Sequence, residues 1–511
     1  MLLLTSLVSY AEGFLAVLIL FAGYTIGLVI YRLYFSPLAK FPGSKLAAAT
    51  SWYEFYYEWW LEGRFVFEVE RLHNKYGPIV RINPNELSIR DPGFYNEIYV
   101  SESKRRSEHY DAWAGGINFD GSFILTKGHE LHKKRREPFD AFFSKKGITS
   151  LHPTLAELSI HLESRLRDLE GQNRVIKLDH VFSCFARDVI GTMCLGRDDY
   201  RDHLLNSPEF SPEWYDLIHK VIRQTPLFTQ FPWLIQIVSR VPGRVLLWVF
   251  PQGLAFNTLT ETAREHIRRA LNGASEKNTK NSTLFHQLVI GDMPTSEKTE
   301  NRLTKEAMVM FAGGTVTVAR TLTVASYYIL SRPELRLKLA DELKSAMAEW
   351  PQVVPSLAEL ERLPLLQAII KETLRLSYGV MHRLPRVSPD VPIQYREYTI
   401  PTGVPVGMSA YYMHSDPTVY PAPDRFIPER WIGDIDPAMR RSFVPFCKGS
   451  RHCIGKNLAQ AEISLLLAVL FRPEGPGFEL FETDESDVKM AHDFLIPLPR
   501  LDSEGVRVIV R

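Results

Sequence analysis

Phe446-Cys-Lys-Gly449-Ser-Arg451-His-Cys453-Ile-Gly455 sets a cysteine between two glycines, with an arginine two residues before it. The segment that follows, Lys456-Asn-Leu-Ala-Gln-Ala-Glu-Ile-Ser-Leu-Leu-Leu-Ala-Val-Leu-Phe471, contains no Gly or Pro and predicts an apolar helix. A sulfur at the N-terminus of that helix sees the positive end of its dipole and nearby N–H donors, and both favour the thiolate. Glycines let the backbone pass close to a flat ligand, and Arg451 offers a charged fork to a carboxylate. Cys447, His452 and Cys453 are too crowded for the two separated ligand pairs of a structural zinc site. A buried structural cysteine is the plain reading of any lone thiol, and this surround argues against it. A thiolate held this way is what a haem iron needs to cleave dioxygen.

The stretch resembles the haem-binding loop of the cytochrome P450 family of haem-thiolate monooxygenases, F-x-x-G-x-R-x-C-x-G. Phe446, Gly449, Arg451, Cys453 and Gly455 meet all its fixed positions. The resemblance implies haem b, with Cys453 as the metal ligand and the other four residues forming its cradle. Two further motifs agree. Glu372-Thr-Leu-Arg375 lies in an amphipathic run, where three-residue spacing puts both charges on one face. Alone it is an ordinary surface pair, but it matches the family's E-x-x-R element. Downstream, Pro423-Asp-Arg-Phe-Ile-Pro-Glu-Arg430-Trp431 resembles the P-E-R-F segment, which implies a buried triad of Glu372, Arg375 and Arg430 bracing the haem loop.

An apolar helix predicted over residues 304–330 carries Phe311-Ala-Gly313-Gly314-Thr315-Val316-Thr317-Val318-Ala319. Each mid-helix glycine costs about 1 kcal/mol relative to alanine, so the pair needs a reason. Close packing against a neighbouring helix is one. The other is a locally opened turn where dioxygen and water sit beside a proton-relaying threonine. The family pattern A/G-G-x-D/E-T-T/S aligns on residues 313–318 and makes Gly314 and Thr317 the catalytic candidates. Val316 replaces the usual acid and Val318 the second hydroxyl. Protons must then travel through Thr317, Thr315, ordered water or the substrate.

Haem propionates need cations. By resemblance, His132 and Arg136 of His132-Lys-Lys-Arg-Arg136 stand at propionate-binding positions, although a basic run is as readily a solvated face. Arg383-Leu-Pro-Arg386 resembles the strand where the second arginine faces a propionate, with residues 377–382 bordering the substrate pocket.

The bulk properties fit one large unit. The chain has 511 residues, with 60 Lys+Arg against 59 Asp+Glu, which leaves no basic footprint for nucleic acid. Four cysteines in this length are no disulfide framework and point to a reducing compartment. Residues 14–31 carry no charge and would span roughly 27 Å as a helix, close to the hydrocarbon thickness of a bilayer. Arg32, Lys40 and Lys45 follow it and no basic residue precedes it, which places the body in the cytosol. A cleaved signal peptide is the competing reading, and it lacks the basic start and small-residue end. We expect an anchor over residues 1–35, a Pro-punctuated connector over 36–50 and a haem-thiolate domain over 51–511. A cytosolic body makes the Asn281-Ser-Thr283 sequon idle.

Residues 76–90 predict a hairpin around Asn83-Pro-Asn85, 153–371 mostly helix, 383–414 a β-rich patch, and 506–510 an edge or terminal strand. The aromatic runs Phe228–Trp233 and Trp248–Phe250 read as core, or as lid loops that meet the membrane interface.

The fold expected is mainly α with a smaller β region, the cytochrome P450 fold behind an N-terminal transmembrane helix. The resemblance implies a monooxygenase that uses O2 on a lipophilic small molecule, anchored in the endoplasmic reticulum membrane with its catalytic domain cytosolic. No nicotinamide or flavin fingerprint is present, so electrons are expected from NADPH-cytochrome P450 reductase, with Lys448 and Lys456 helping to dock an acidic partner. The runs 31–43 and 445–451 are similar to fungal, trichodiene-oxygenase-like members, which suggests a terpenoid or other secondary metabolite. Two alternatives stay open: a haem-thiolate isomerase or dehydratase that needs no external electrons, and a non-catalytic haem-binding protein.

Overall fold

The computed structural model describes the chain except residues 1, 111–118, 120, 197–203, 211, 239, 242–244, 246–252 and 273–282. Trp248, Phe250 and Asn281 fall outside the described residues.

The N-terminal helix α1 is Leu2–Ile30, and it widens into a π-type turn over Tyr31–Phe35 before Ser36-Pro37 ends it. Residues 2–13 contain no proline and a single charge, Glu12, so the helix starts well before the expected residue 14. Its apolar side chains from Phe14 to Ile30 are exposed, and residues Glu12–Phe35 are long and apolar enough to cross a membrane. The turn after it is fastened to the body. Arg32 Nη1 donates to Ala49 O (2.9 Å), Arg81 Nη1 donates to Arg32 O (2.7 Å), and Arg81 N donates to Pro42 O (2.7 Å).

Among the described residues, the helices that frame the site are α2 (His129–Phe143), α3 (Lys145–Arg167), α4 (Leu178–Leu195), α5 (Pro212–Gln230), α6 (Gly253–Asn272), α7 (Glu300–Leu330), α8 (Pro364–Ser377) and α9 (Lys456–Phe471). Helix α7 is the central rod, packed against α4, α6, α8 and α9. Thr299 caps it by accepting from Arg302 N, and Glu300 faces the positive end of its dipole. It is buried nearly all round, as a helix that is apolar on most faces should be. Helix α9 begins and ends at the predicted residues.

The predicted hairpin is β1 (Ile79–Arg81) and β2 (Leu87–Ile89), paired antiparallel. Asn83 Oδ1 closes its turn by accepting the N–H groups of Asn85 and Glu86. The other strands are β3 (Glu108–His109), β4 (Val175–Lys177), β5 (Arg386–Val387), β6 (Ile393–Tyr395), β7 (Tyr398–Ile400), β8 (Pro405–Gly407), β9 (Phe478–Leu480), β10 (His492–Phe494), β11 (Ile496–Leu498) and β12 (Arg507–Val510). One five-stranded sheet runs β1-β2-β8-β5-β3, parallel only between β2 and β8. A large core fills the space among α3, α4, α7, α8 and α9, and a smaller one lies under this sheet.

Three expectations need correction. The β patch stops short of His414, because Ser409 caps a helical turn over Ala410–His414. The C-terminal strand is no edge: β12 sits between β4 and β9, which pair with its backbone on both sides, while Val508 and Val510 point into the core. Trp233 is 54% exposed, and Phe231 packs on Trp52 and Phe55 near the N-terminus rather than in the main core.

Candidate active site

The loop before α9 is held by its own backbone. Cys453 N donates to Phe446 O (2.9 Å), and Ser450 N donates to Val100 O (3.0 Å). Gly449 has φ +76°, and a Cβ there would stand 2.3 Å from Val100 O, so both conformation and space demand glycine. Gly455 leads into α9, and its N–H lies at the Cys453 sulfur. Cys453 is deep within the protein yet accessible, so its sulfur lines an internal space. The expected pull toward the thiolate is present but is outweighed in the protein without a metal. Burial pushes the Cys453 thiol up, and the Gly455 N–H, Arg136 and Lys456 offset this only in part. Binding to a metal would remove that proton.

Around this loop the structure collects cations. Arg451 reaches across to donate to Ser107 O, Thr126 O and Lys127 O (3.2, 2.7 and 2.6 Å). Arg136 donates to His452 O (2.8 Å) and pairs with Asp140 (3.3 Å). Arg386 is buried over the Tyr99 ring, and its only hydrogen bonds among the described residues are long ones to Leu384 O and Pro385 O. His132 Nδ1 donates to Phe123 O (2.8 Å), which leaves Nε2 buried without a hydrogen bond, near the Ser450 carbonyl. Burial, then the Arg386 charge, bring Arg451 down to about 9. Burial, then the Arg451 charge, bring His132 down to about 3. Neither Arg386 nor Arg451 has a carboxylate within ion-pair distance among the described residues. Arg386 crowds Arg451, and positive charge gathered in this way calls for an anion. The two propionates of haem b fit that demand, and a sulfur on the same loop fits its iron.

On α7, Gly313 and Gly314 have different surroundings. A Cβ on Gly313 would meet nothing within 4 Å, whereas one on Gly314 would sit 3.1 Å from the Ile190 side chain of α4. Packing therefore explains Gly314, and Gly313 faces open space. The expected opened turn is not present: α7 is continuous, and Thr317 Oγ1 donates to Gly313 O at 2.8 Å. Thr315 is buried with its hydroxyl unpartnered, and Val316 and Val318 are buried. A lone threonine can satisfy its hydroxyl on the carbonyl four residues back without breaking the helix.

Glu372 is fully buried and takes donors on every side. Arg375 Nε and Nη2 bond it at 2.9 and 2.8 Å, Arg430 Nε at 3.1 Å, Trp431 Nε1 at 2.8 Å and Ile427 N at 2.9 Å. Trp431 and Ile427 were not foreseen. Sequence reasoning also missed Glu306, which pairs with Arg302 at 2.7 Å on α7 and accepts the Phe123 N–H. Its four-residue spacing from Arg302 on an apolar helix was the available signal.

A sequence model of the Cytochrome P450 family matches residues 48–497. The cytochrome P450 monooxygenase oblB of Aspergillus clavatus is 48% identical over 507 residues, 97% of each chain. Fusicoccadiene C-8 hydroxylase of Alternaria brassicicola is 45% identical, over 96% of this chain and 94% of that protein. Stellatic acid synthase of Emericella variicolor is 41% identical, over 96% and 94%. With the cysteine loop, the cation pocket and the Glu372 brace in place, this chain belongs to the cytochrome P450 family, as a monooxygenase of its fungal secondary-metabolite branch.

Proposed function

We propose that the protein inserts one oxygen atom of O2 into a C–H bond of a terpenoid hydrocarbon, using electrons passed from NADPH by a separate reductase. The observation that carries this is the joining of one accessible, deeply set sulfur to a pocket in which Arg386 and Arg451 have no carboxylate at ion-pair distance among the described residues. Bound there through Cys453, haem b would supply the dioxygen activation and C–H oxidation. The residues around it have simpler tasks. Arg451, Arg386 and Arg136 hold the propionates, His132 joins them once a propionate's charge returns a second proton to its Nε2, and Phe446, Gly449 and Gly455 shape the loop. Thr317, whose hydroxyl bonds Gly313 O beside the open face, would hold and relay a proton there. Val316 supplies no carboxyl, so water or Thr315 completes that route. The names of the relatives favour a fusicoccadiene-like substrate.

The same reading assigns residues 1–35 to an anchor, 36–50 to a connector and 51–511 to the catalytic body, with α1 in the endoplasmic reticulum membrane and the body on the cytosolic side. The exposed Trp233 and Trp52, each against Phe231, give an apolar rim suited to a lipophilic substrate.

The carbon-monoxide difference spectrum of the reduced protein tests the ligand. The thiolate-type Soret band is expected in the wild type and lost in Cys453→Ala; an unchanged band in the variant overturns the assignment. Val316 also keeps the isomerase reading in view. Product that forms without NADPH and reductase would select it.

A further inference from the structure

Residues 121–126 form a short bridge between α7 and the cation pocket. On the α7 side, Arg302 Nη1 donates to Gly121 O (3.2 Å), and the Glu306 carboxyl accepts the Phe123 N–H on both oxygens (3.1 and 3.2 Å). On the other side, the Phe123 carbonyl accepts His132 Nδ1 (2.8 Å) and the Thr126 carbonyl accepts Arg451 Nη1 (2.7 Å). Phe123 is 2% exposed, with its ring against Phe139 and His132. One buried residue thus donates its N–H to α7 and accepts, at its carbonyl, from a propionate candidate.

The charges around Glu306 are few and can be named. Arg302 pairs with it from the same helix (2.7 Å), and Arg135 acts on it from α2. Glu297 pairs with both arginines, at 3.3 and 2.7 Å. His132 faces the bridge from α2. The two arginines and two glutamates balance when Glu306 is ionised, while Lys134, which also acts on Glu297, is exposed to solvent. When it is neutral, a positive charge is left over beside a pocket that already holds Arg451, Arg386 and Arg136.

We propose that Glu306 is a positioning residue for the haem: through the Phe123 peptide groups its carboxylate fixes His132 and the Thr126 anchor of Arg451, so its charge sets the propionate environment and the iron's reduction potential. This rests on the haem reading above. Burial raises the Glu306 carboxyl to about 7, against the pull of Arg302, the Phe123 N–H and Arg135. The group therefore changes charge near neutral pH, where an ordinary carboxyl does not. A carboxylate nearby favours the ferric state, so the potential should fall as pH rises through that range.

The test is a spectroelectrochemical titration of full-length holoprotein between about pH 6 and 8.5, in the wild type and in Glu306→Gln. The wild-type potential is expected to bend near neutral pH, and Glu306→Gln to stay close to the wild-type acid-limit value throughout. Haem transfer to apomyoglobin should be several-fold faster from Glu306→Gln at alkaline pH and match the wild type at acid pH. A folded Glu306→Gln with the thiolate spectrum and the wild-type bend overturns the proposal. If Glu306→Gln does not fold, His132→Phe decides: a bend of undiminished size overturns it, and a bend less than half as large supports it. A wild type without the thiolate spectrum sinks the haem reading instead, so the two failures are distinguishable.

Discussion

Gly449 shows how much one missing side chain can fix. Its left-handed backbone and the nearby Val100 carbonyl leave no room for a methyl group. Gly449→Ala carries a penalty of roughly 1 kcal/mol for the left-handed conformation alone, plus displacement of the segment at Tyr99 and Val100. We expect that variant to purify largely without haem, as read from the ratio of Soret to protein absorbance. Thr317 presents the opposite case, a polar group with little structural duty. Thr317→Val should keep the thiolate spectrum and the melting temperature while product formation drops by about 10²-fold, the low end of what a placed proton donor supplies. Thr317→Ser should recover most of it. Cys453, Arg451 and the glycines were legible because their meaning lies within ten consecutive residues. Glu306 was not, because its partner Phe123 lies 183 residues away and no local pattern marks the pair.

Among the elements, α8 and the segment it grips make the sharpest energetic statement. Glu372 sits at zero exposure with donors from Arg375, Arg430, Trp431 and Ile427. Removing it strands two guanidinium groups, and breaking a buried pair costs about 3–5 kcal/mol. Glu372→Ala should thus lower the urea midpoint sharply, and Arg430→Leu, at the outer edge of the cluster, should lower it less. Helix α7 makes a prediction of opposite sign. With its carboxyl raised to about 7, Glu306 keeps a proton in the folded state that the unfolded chain releases near its ordinary value. Stability from this group is complete below the unfolded value and is lost as pH rises toward about 7, at up to about 1.4 kcal/mol per unit. Chemical denaturation at several pH values should show that slope in the wild type and a shallower one in Glu306→Gln. The element-level reading of the sequence succeeded where periodicity was long, as in α7 and α9. It failed where three-dimensional pairing decides: β12 reads as an edge by position, yet β4 and β9 flank it.

For the whole molecule, the expectation of a helical body with a smaller β region holds. The relation of the body to its first helix was not legible, because charge patterning gives orientation and says nothing about attachment. Deleting residues 2–30 should release the protein from the membrane fraction without altering its carbon-monoxide spectrum, as checked by sedimentation and absorbance. The bonds that join Arg32, Arg81, Ala49 and Pro42 then acquire a mechanical meaning. They lie beyond the last turn of α1 and clamp it to the first sheet, so the body is welded to its post rather than swinging on a tether. If α1 is the membrane post proposed above, its tilt sets the tilt of the enzyme over the lipid, and with it the heading at which the proposed reductase must arrive.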